Sequence, residues 1–251
     1  MFWAICTMGR LSAATVLLFT LLAQACADER GSLYQAAKDG DLPAVQSFLA
    51  DGADINQQDG GGFTALHASI MYGHPELTRY LLDQGADVNV AAIYGVVPLH
   101  VAADADTVRR LLDKGGRVDA WSKTRGTPLH AAVNQNSPEA VALLLETDAP
   151  VDRGDAGGST PLHHAAGKGR ESIVTLLIDA GAHIDAVNDL NFTPLHWAAG
   201  NGHGDVVAVL MTSGAVATIK SYNGLTARDM AVEKGHADVA HILETRGVDP
   251  S

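Results

Sequence analysis

Eleven histidines, two cysteines and several glycine-rich runs are the residues with which this 251-residue chain could do chemistry. Histidine is a common metal ligand and a general base near neutral pH. Five of the eleven, His67, His100, His130, His163 and His196, each follow a leucine in a recurring tetrapeptide. The ligands of one zinc ion must all lie about 2 Å from it. Rings carried at one slot of stacked helices stand about 10 Å apart, the diameter of a helix with its side chains. Such a ladder cannot chelate. A structural histidine that bonds to backbone between neighbouring units accounts for the slot better. His163 and His164 are adjacent, but neighbours on a helix point apart. No His-Glu-x-x-His or Cys-x-x-Cys spacing occurs, so neither a metal nor a cofactor is expected.

The glycine-rich runs lead to no phosphate site. Gly200-Asn201-Gly202-His203-Gly204 falls in register with Gly73-His74, and Gly157-Gly158-Ser159-Thr160 stands at the entrance to a unit. Neither run follows a strand of a βαβ unit, as a dinucleotide site requires. A Gly-x-Ser-x-Gly elbow is absent, and no nucleophile has an obvious base. The carboxylates mostly recur at fixed Asp slots that turns and caps explain. The formal charge of -12 is a poor match to phosphate backbones, so nucleic acid is set aside as a partner.

The elements that position these residues follow from one repeat. The tetrapeptide reads Thr64-Ala65-Leu66-His67, Val97-Pro98-Leu99-His100, Thr127-Pro128-Leu129-His130, Thr160-Pro161-Leu162-His163 and Thr193-Pro194-Leu195-His196, with a decayed copy at Thr226-Ala227-Arg228-Asp229. The steps are 33 residues, except for one of 30 into Thr127. Gly52-Ala53-Asp54-Ile55-Asn56 recurs in phase as Gly85-Ala86-Asp87-Val88-Asn89, and a third marker runs through Gly40, Gly73, Asn136, Gly169, Gly202 and Gly235. Proline suits the first turn of a helix, and threonine before it can cap that helix. Glycine after it supplies a left-handed end. Leu81-Leu82 and Leu176-Leu177 mark the apolar face of a second helix.

These residues resemble the ankyrin repeat family, whose signature joins Thr-Pro-Leu-His to Gly-His and Gly-Ala-Asp-x-Asn. The resemblance implies an all-α repeat solenoid of stacked helix-turn-helix units with hairpin-like loops, covering residues 28–251. Its seven units are about 30–58, 59–91, 92–121, 122–154, 155–187, 188–220 and 221–251. The first lacks the tetrapeptide and reads as an N-terminal cap. The last has Arg228 and Asp229 where Leu and His belong, which suits a polar C-terminal cap. The third is three residues short between Ala103 and Asp106, which predicts a shortened first helix or a distorted turn.

Residues 1–27 read as a secretory signal peptide. Arg10 precedes the apolar run Leu11–Ala23, and Ala23, Ala25 and Ala27 offer cleavage sites. Translation from Met8 would give a conventional positive start to that signal. Leu22-Ala23-Gln24-Ala25-Cys26 also resembles a bacterial lipobox, which makes Cys26 an alternative lipidation site. Cys6 and Cys26 are the two cysteines, so the body that follows is expected to be stable without disulfides. The expected location is the periplasm or the cell exterior.

In the ankyrin family, partners contact loop tips and the exposed face of the first helices. Two columns vary there while the framework recurs. One reads Gln35, Ala68, Val101, Ala131, His164, Trp197 and Met230; the other reads Asp39, Tyr72, Gln135, Lys168, Asn201 and Lys234. Aromatic and arginine side chains are the usual interface anchors. The candidates are Tyr72, Tyr94, Trp121, Arg125, Leu190, Phe192, Trp197 and Tyr222. The expected function is a monomeric, non-catalytic scaffold that binds another protein. An enzyme or small-ligand binder using the concave groove is the alternative, and a deep pocket with convergent polar groups would favour it.

Overall fold

The computed structural model describes residues 31–246. The signal-like segment, Met8 and Cys26 lie outside the described residues. Helices pair along the chain: α1 (Leu33–Asp39) with α2 (Leu42–Ala50), then α3 (Ala65–Met71) with α4 (Pro75–Asp83). The third pair is a 3-10 turn, Pro98–His100, followed by α5 (Ala105–Asp113). Next come α6 (Pro128–Gln135) with α7 (Pro138–Glu146), and α8 (Pro161–Gly167) with α9 (Glu171–Asp179). The stack ends with α10 (Pro194–Gly200) and α11 (Gly204–Thr212), then α12 (Ala227–Glu233) and α13 (Ala237–Arg246). Among the described residues there is no β-strand, only an isolated bridge between Ser122 and Gly126.

No described helix exceeds ten residues, and isolated helices that short are marginal in water. Stacking supplies the stability: first helices pack on first helices and second on second. The leucine of each tetrapeptide is buried, as at Leu66, Leu99, Leu129, Leu162 and Leu195. Leu81, Val108, Val141, Val174 and Val207 of the second helices join them in one continuous core. Ala165, Ala166, Ala198 and Ala199 are fully covered, where small side chains let helices approach closely.

The short third unit has the consequence expected of it. Only seven residues, Val97–Ala103, stand where the second unit has ten, Thr64–Gly73. The first helix therefore stops after the turn at Pro98–His100. Asp104 then caps α5 directly, accepting from the Thr107 N–H at 2.8 Å.

Candidate interaction surface

The tetrapeptide histidines form a lattice. Thr64, Thr127, Thr160 and Thr193 place their hydroxyls 2.8–3.0 Å from Nδ1 of the histidine three residues on. The same Nδ1 accepts from the threonine backbone N–H. Nε2 faces a carbonyl of the next unit: Val96 for His67, Gly126 for His100, Ser159 for His130, Phe192 for His163 and Leu225 for His196. A carbonyl only accepts, so Nε2 carries the proton and the ring is the neutral tautomer. Burial disfavours the charged ring and lowers its pKa to about 4 at His67, His100, His130 and His163, although the carbonyl partner opposes this. His196 is lowered for the same reason.

Asp229 replaces this histidine in the last unit. It accepts from the Thr226 N–H and hydroxyl at 3.0 and 2.7 Å, which lowers its pKa. Among the described residues no unit follows α13, so an outward-facing donor has no carbonyl to meet there.

Between the units lie six five-residue tips, at 59–63, 92–96, 122–126, 155–159, 188–192 and 221–225. In each, the first N–H donates to the fifth carbonyl at 2.7–3.1 Å, which closes a hairpin-like loop. Asp59, Asp155 and Asn188 brace their tips by accepting from two further backbone N–H groups. These are the turn roles expected of the recurring Asp slots. The fourth residue is left-handed in five tips, at Gly62, Gly95, Gly158, Asn191 and Gly224. In the tip 122–126 that place holds Arg125, and the left-handed residue is Gly126 instead. A backbone rung also ties successive tips: Ile93 N–H to Gly61, Lys123 to Tyr94, Asp189 to Gly157 and Tyr222 to Leu190. Among the described residues the corresponding rung, Ala156 N–H to Thr124, is missing.

The candidate residues fall into separate groups. Tyr72 is exposed at the end of α3, with the Lys38 ammonium 5.3 Å from its ring centre. Tyr94 and Trp121 are exposed near the start and at the end of the third unit, and the Trp121 indole N–H donates to the Gly154 carbonyl. Arg125 is exposed on the next tip. Leu190 and Tyr222 sit on successive tips, and the rings of Phe192 and Tyr222 meet edge to face at 5.8 Å. Phe192 and Trp197 are half-buried: Phe192 packs on His196, and Trp197 packs on His163 and His164. They support the lattice as much as they face solvent.

The first variable column needs correction. Ala68, Val101 and Ala131 are buried, because that helix position faces the neighbouring unit rather than water. The second column is exposed throughout, from Asp39 to Lys234. Sequence reasoning missed Met71 and Val232 on first helices, Ile93 on a tip and Val187 before one, all of which are exposed. It also missed the pairing of His164 Nε2 with Asp155 at 2.8 Å. The signal for the displaced turn was readable: the tip glycine comes 33 residues after Gly62 at Gly95, then 31 rather than 30 later at Gly126. Open clefts of a few hundred Å³ are present, and no cluster of metal-binding side chains occurs among the described residues.

Comparison with known proteins agrees with this geometry. A model of ankyrin repeats, described as Ank_2, matches three times, over residues 33–122, 104–188 and 183–251. The crystal structure of the human ASB11 ankyrin repeat domain superposes with a TM-score of 0.78 at 29% identity, covering 88% of this chain and all of that one. The ankyrin repeat domain of Bcl-3, a member of the IkappaB protein family, gives 0.69 at 30% identity, over 85% of this chain and 98% of that one. Mouse protein phosphatase 1 regulatory subunit 27 is 39% identical over 67 residues, which is 27% of this chain and 44% of the relative. The chain spans 9–40% of the length of the first three curated relatives it matches. With the histidine lattice, the braced tips and three matches that run from Leu33 to the end of the chain, this protein belongs to the ankyrin repeat family.

Proposed function

We propose that the stack is a non-catalytic scaffold that binds another protein through its tips and first helices, acting as a monomer outside the cytoplasm. One observation carries the binding surface. Of the exposed large apolar side chains among the described residues, all but Val216 lie on a tip, on the residue entering a tip, or at a first helix and its end. Among the described residues the second helices carry none. Solitary exposed apolar residues need no explanation, but their gathering on tips and first helices supports this reading. The regulatory subunit and the IkappaB-family domain among the relatives fit this reading.

The location rests on the signal-like residues 1–27, and the lipid-anchored alternative rests on Leu22–Cys26. Mass spectrometry of the mature N-terminus separates them: a start after Ala25 or Ala27 without added mass supports release, and a lipidated Cys26 supports the anchor. The binding surface is tested by changing Tyr94, Trp121 and Tyr222 to alanine together. Retained folding with loss of the natural partner is expected. A partner bound undiminished by the folded triple variant would refute the surface.

A further inference from the structure

The irregular third tip, 122–126, and the short third unit meet at one place. Thr124 and Arg125 of the tip and Ala131, Asn134 and Gln135 of α6 line a crevice of about 330 Å³. Two sequence events shape this stretch. The loss of three residues ends the neighbouring first helix after one turn, so α6 has a full-length first helix, α8, on one side only. Arg125 occupies the place of a left-handed glycine, which shifts the turn by one residue and leaves the rung to Ala156 unmade.

The charge here differs from that of the rest of the chain. From Val88 to Ala103 and from Ala120 to Pro138 the charged side chains are Lys123 and Arg125, in a protein of net charge -12. Both are exposed, and Asn134 and Gln135 are exposed beside them. The carboxylate of the next tip, Asp155, is occupied by His164 and by the N–H groups of Gly157 and Ser159. On the adjoining third unit, whose tip is joined to this one by the Lys123 N–H to Tyr94 rung, Ile93, Tyr94 and Trp121 stand 52%, 56% and 38% exposed. The neighbourhood thus combines a guanidinium fork, two side-chain amides and apolar side chains.

We propose that this crevice selects the partner by taking an extended peptide segment that carries an aspartate or glutamate. The carboxylate sits on Arg125, whose planar fork matches it. The amides of Asn134 and Gln135 serve the peptide main chain, and apolar neighbours of the acid lie on Ile93, Tyr94 and Trp121. The crevice is near the small end of the range for ligand pockets, about 300 Å³, and has room for one or two side chains of such a segment. Charge complementarity decides the occupant: an acidic segment is repelled by most of this protein's surface and attracted here. This inference rests on the reading of the stack as a protein-binding scaffold.

The test is display of random dodecapeptides against the full chain and against its K123E/R125E variant. Both altered side chains are exposed, and an unchanged circular dichroism spectrum and Tm confirm that the variant is folded. Peptides enriched on the parent protein are expected to carry an excess of Asp and Glu, to bind the variant at least tenfold more weakly, and to weaken as NaCl is raised. The variant is expected to enrich Lys and Arg instead. Enriched peptides without an acidic excess, equal binding to the variant, or no enrichment at all would each overturn the site. Peptides that ignore K123E/R125E but are lost with Tyr72→Ala or Tyr222→Ala would overturn this crevice and leave the scaffold reading intact. Peptides lost with none of these variants would count against the tip surface as well.

Discussion

At the scale of single residues, each tetrapeptide histidine is a neutral crosslink whose two nitrogens serve different units. The folded ring titrates at about 4 at His67, His100, His130 and His163, against about 6.5 in an unfolded chain. The unfolded state therefore binds more protons between these values. The stability the rings provide is complete above pH 6.5 and is lost as pH falls towards 4. At pH 5.5 the loss is about 1 kcal/mol per ring. Four rings together approach the whole stability of a small domain, about 5 kcal/mol at the low end. Urea midpoints are expected to fall steeply between pH 7 and 5, above the range in which carboxylates titrate. A midpoint flat over that interval would show that the rings are not held neutral.

Glycines give a second test at this scale. A Cβ on Gly202 would lie 2.7 Å from the His236 ring, whereas one on Gly73 would meet nothing within 4 Å. Both backbones are left-handed, at φ 78 and 75. Gly73→Ala is expected to cost about 1 kcal/mol from backbone strain alone. Gly202→Ala should cost more, and His236→Ala in the same chain should recover the excess. Equal losses in the two single variants would refute the contact.

At the scale of elements, caps, turns and pairings were largely legible because each rests on a local rule. Thr before Pro, Gly at a helix end and paired alanines retain their meaning whichever unit they occupy. The pairing of His74 with the Lys38 carbonyl, and of His203 with that of Gly167, explains why Gly40 and Gly169 precede them. Asn136 holds the same left-handed place, and Arg170 stands where the next unit's histidine would pack. The outward face was harder to read. Ala68 and Ala131 vary with His164 and Trp197 along one column, yet they are buried, because exposure depends on the neighbouring helix and not on local sequence. The third unit supplies the test at this scale. Inserting Lys-Tyr-Gly after Ala103 restores the missing length and should extend the turn at Pro98–His100 into a full first helix. A gain of about 1–2 kcal/mol in urea unfolding, with added helical ellipticity, is expected, since a longer helix buries more apolar surface. A loss of stability would mean that the shortened turn is the better-packed arrangement.

At the scale of the whole molecule, a repeat stack is a sum of unit terms and nearest-neighbour terms, so a weak joint matters more here than in a globular core. Two irregularities adjoin each other. The third unit has no residue to reach back as His74 and His203 do, and the face of Gly73 is left uncovered. One unit later, the rung between Thr124 and Ala156 is missing. Around them Ala92, Val96 and Val101 form a small cluster of their own with Phe63 and Ile70, apart from the continuous core. From α6 to α11, by contrast, full-length helices stack in succession. Opening is therefore expected to begin on the N-terminal side of this seam, with α1 to α5 separating while α6 to α11 stay folded. Native-state hydrogen exchange in low urea reads this directly. Amides buried in α3 and α4 should exchange at a lower opening free energy than those in α8 and α9, although neither pair is terminal. The three-residue insertion should raise the protection of α3 and α4 and leave α8 and α9 unchanged. Equal protection across both pairs would mean that the joint is as strong as its neighbours, and that the seam alters the shape of the surface without loosening the stack.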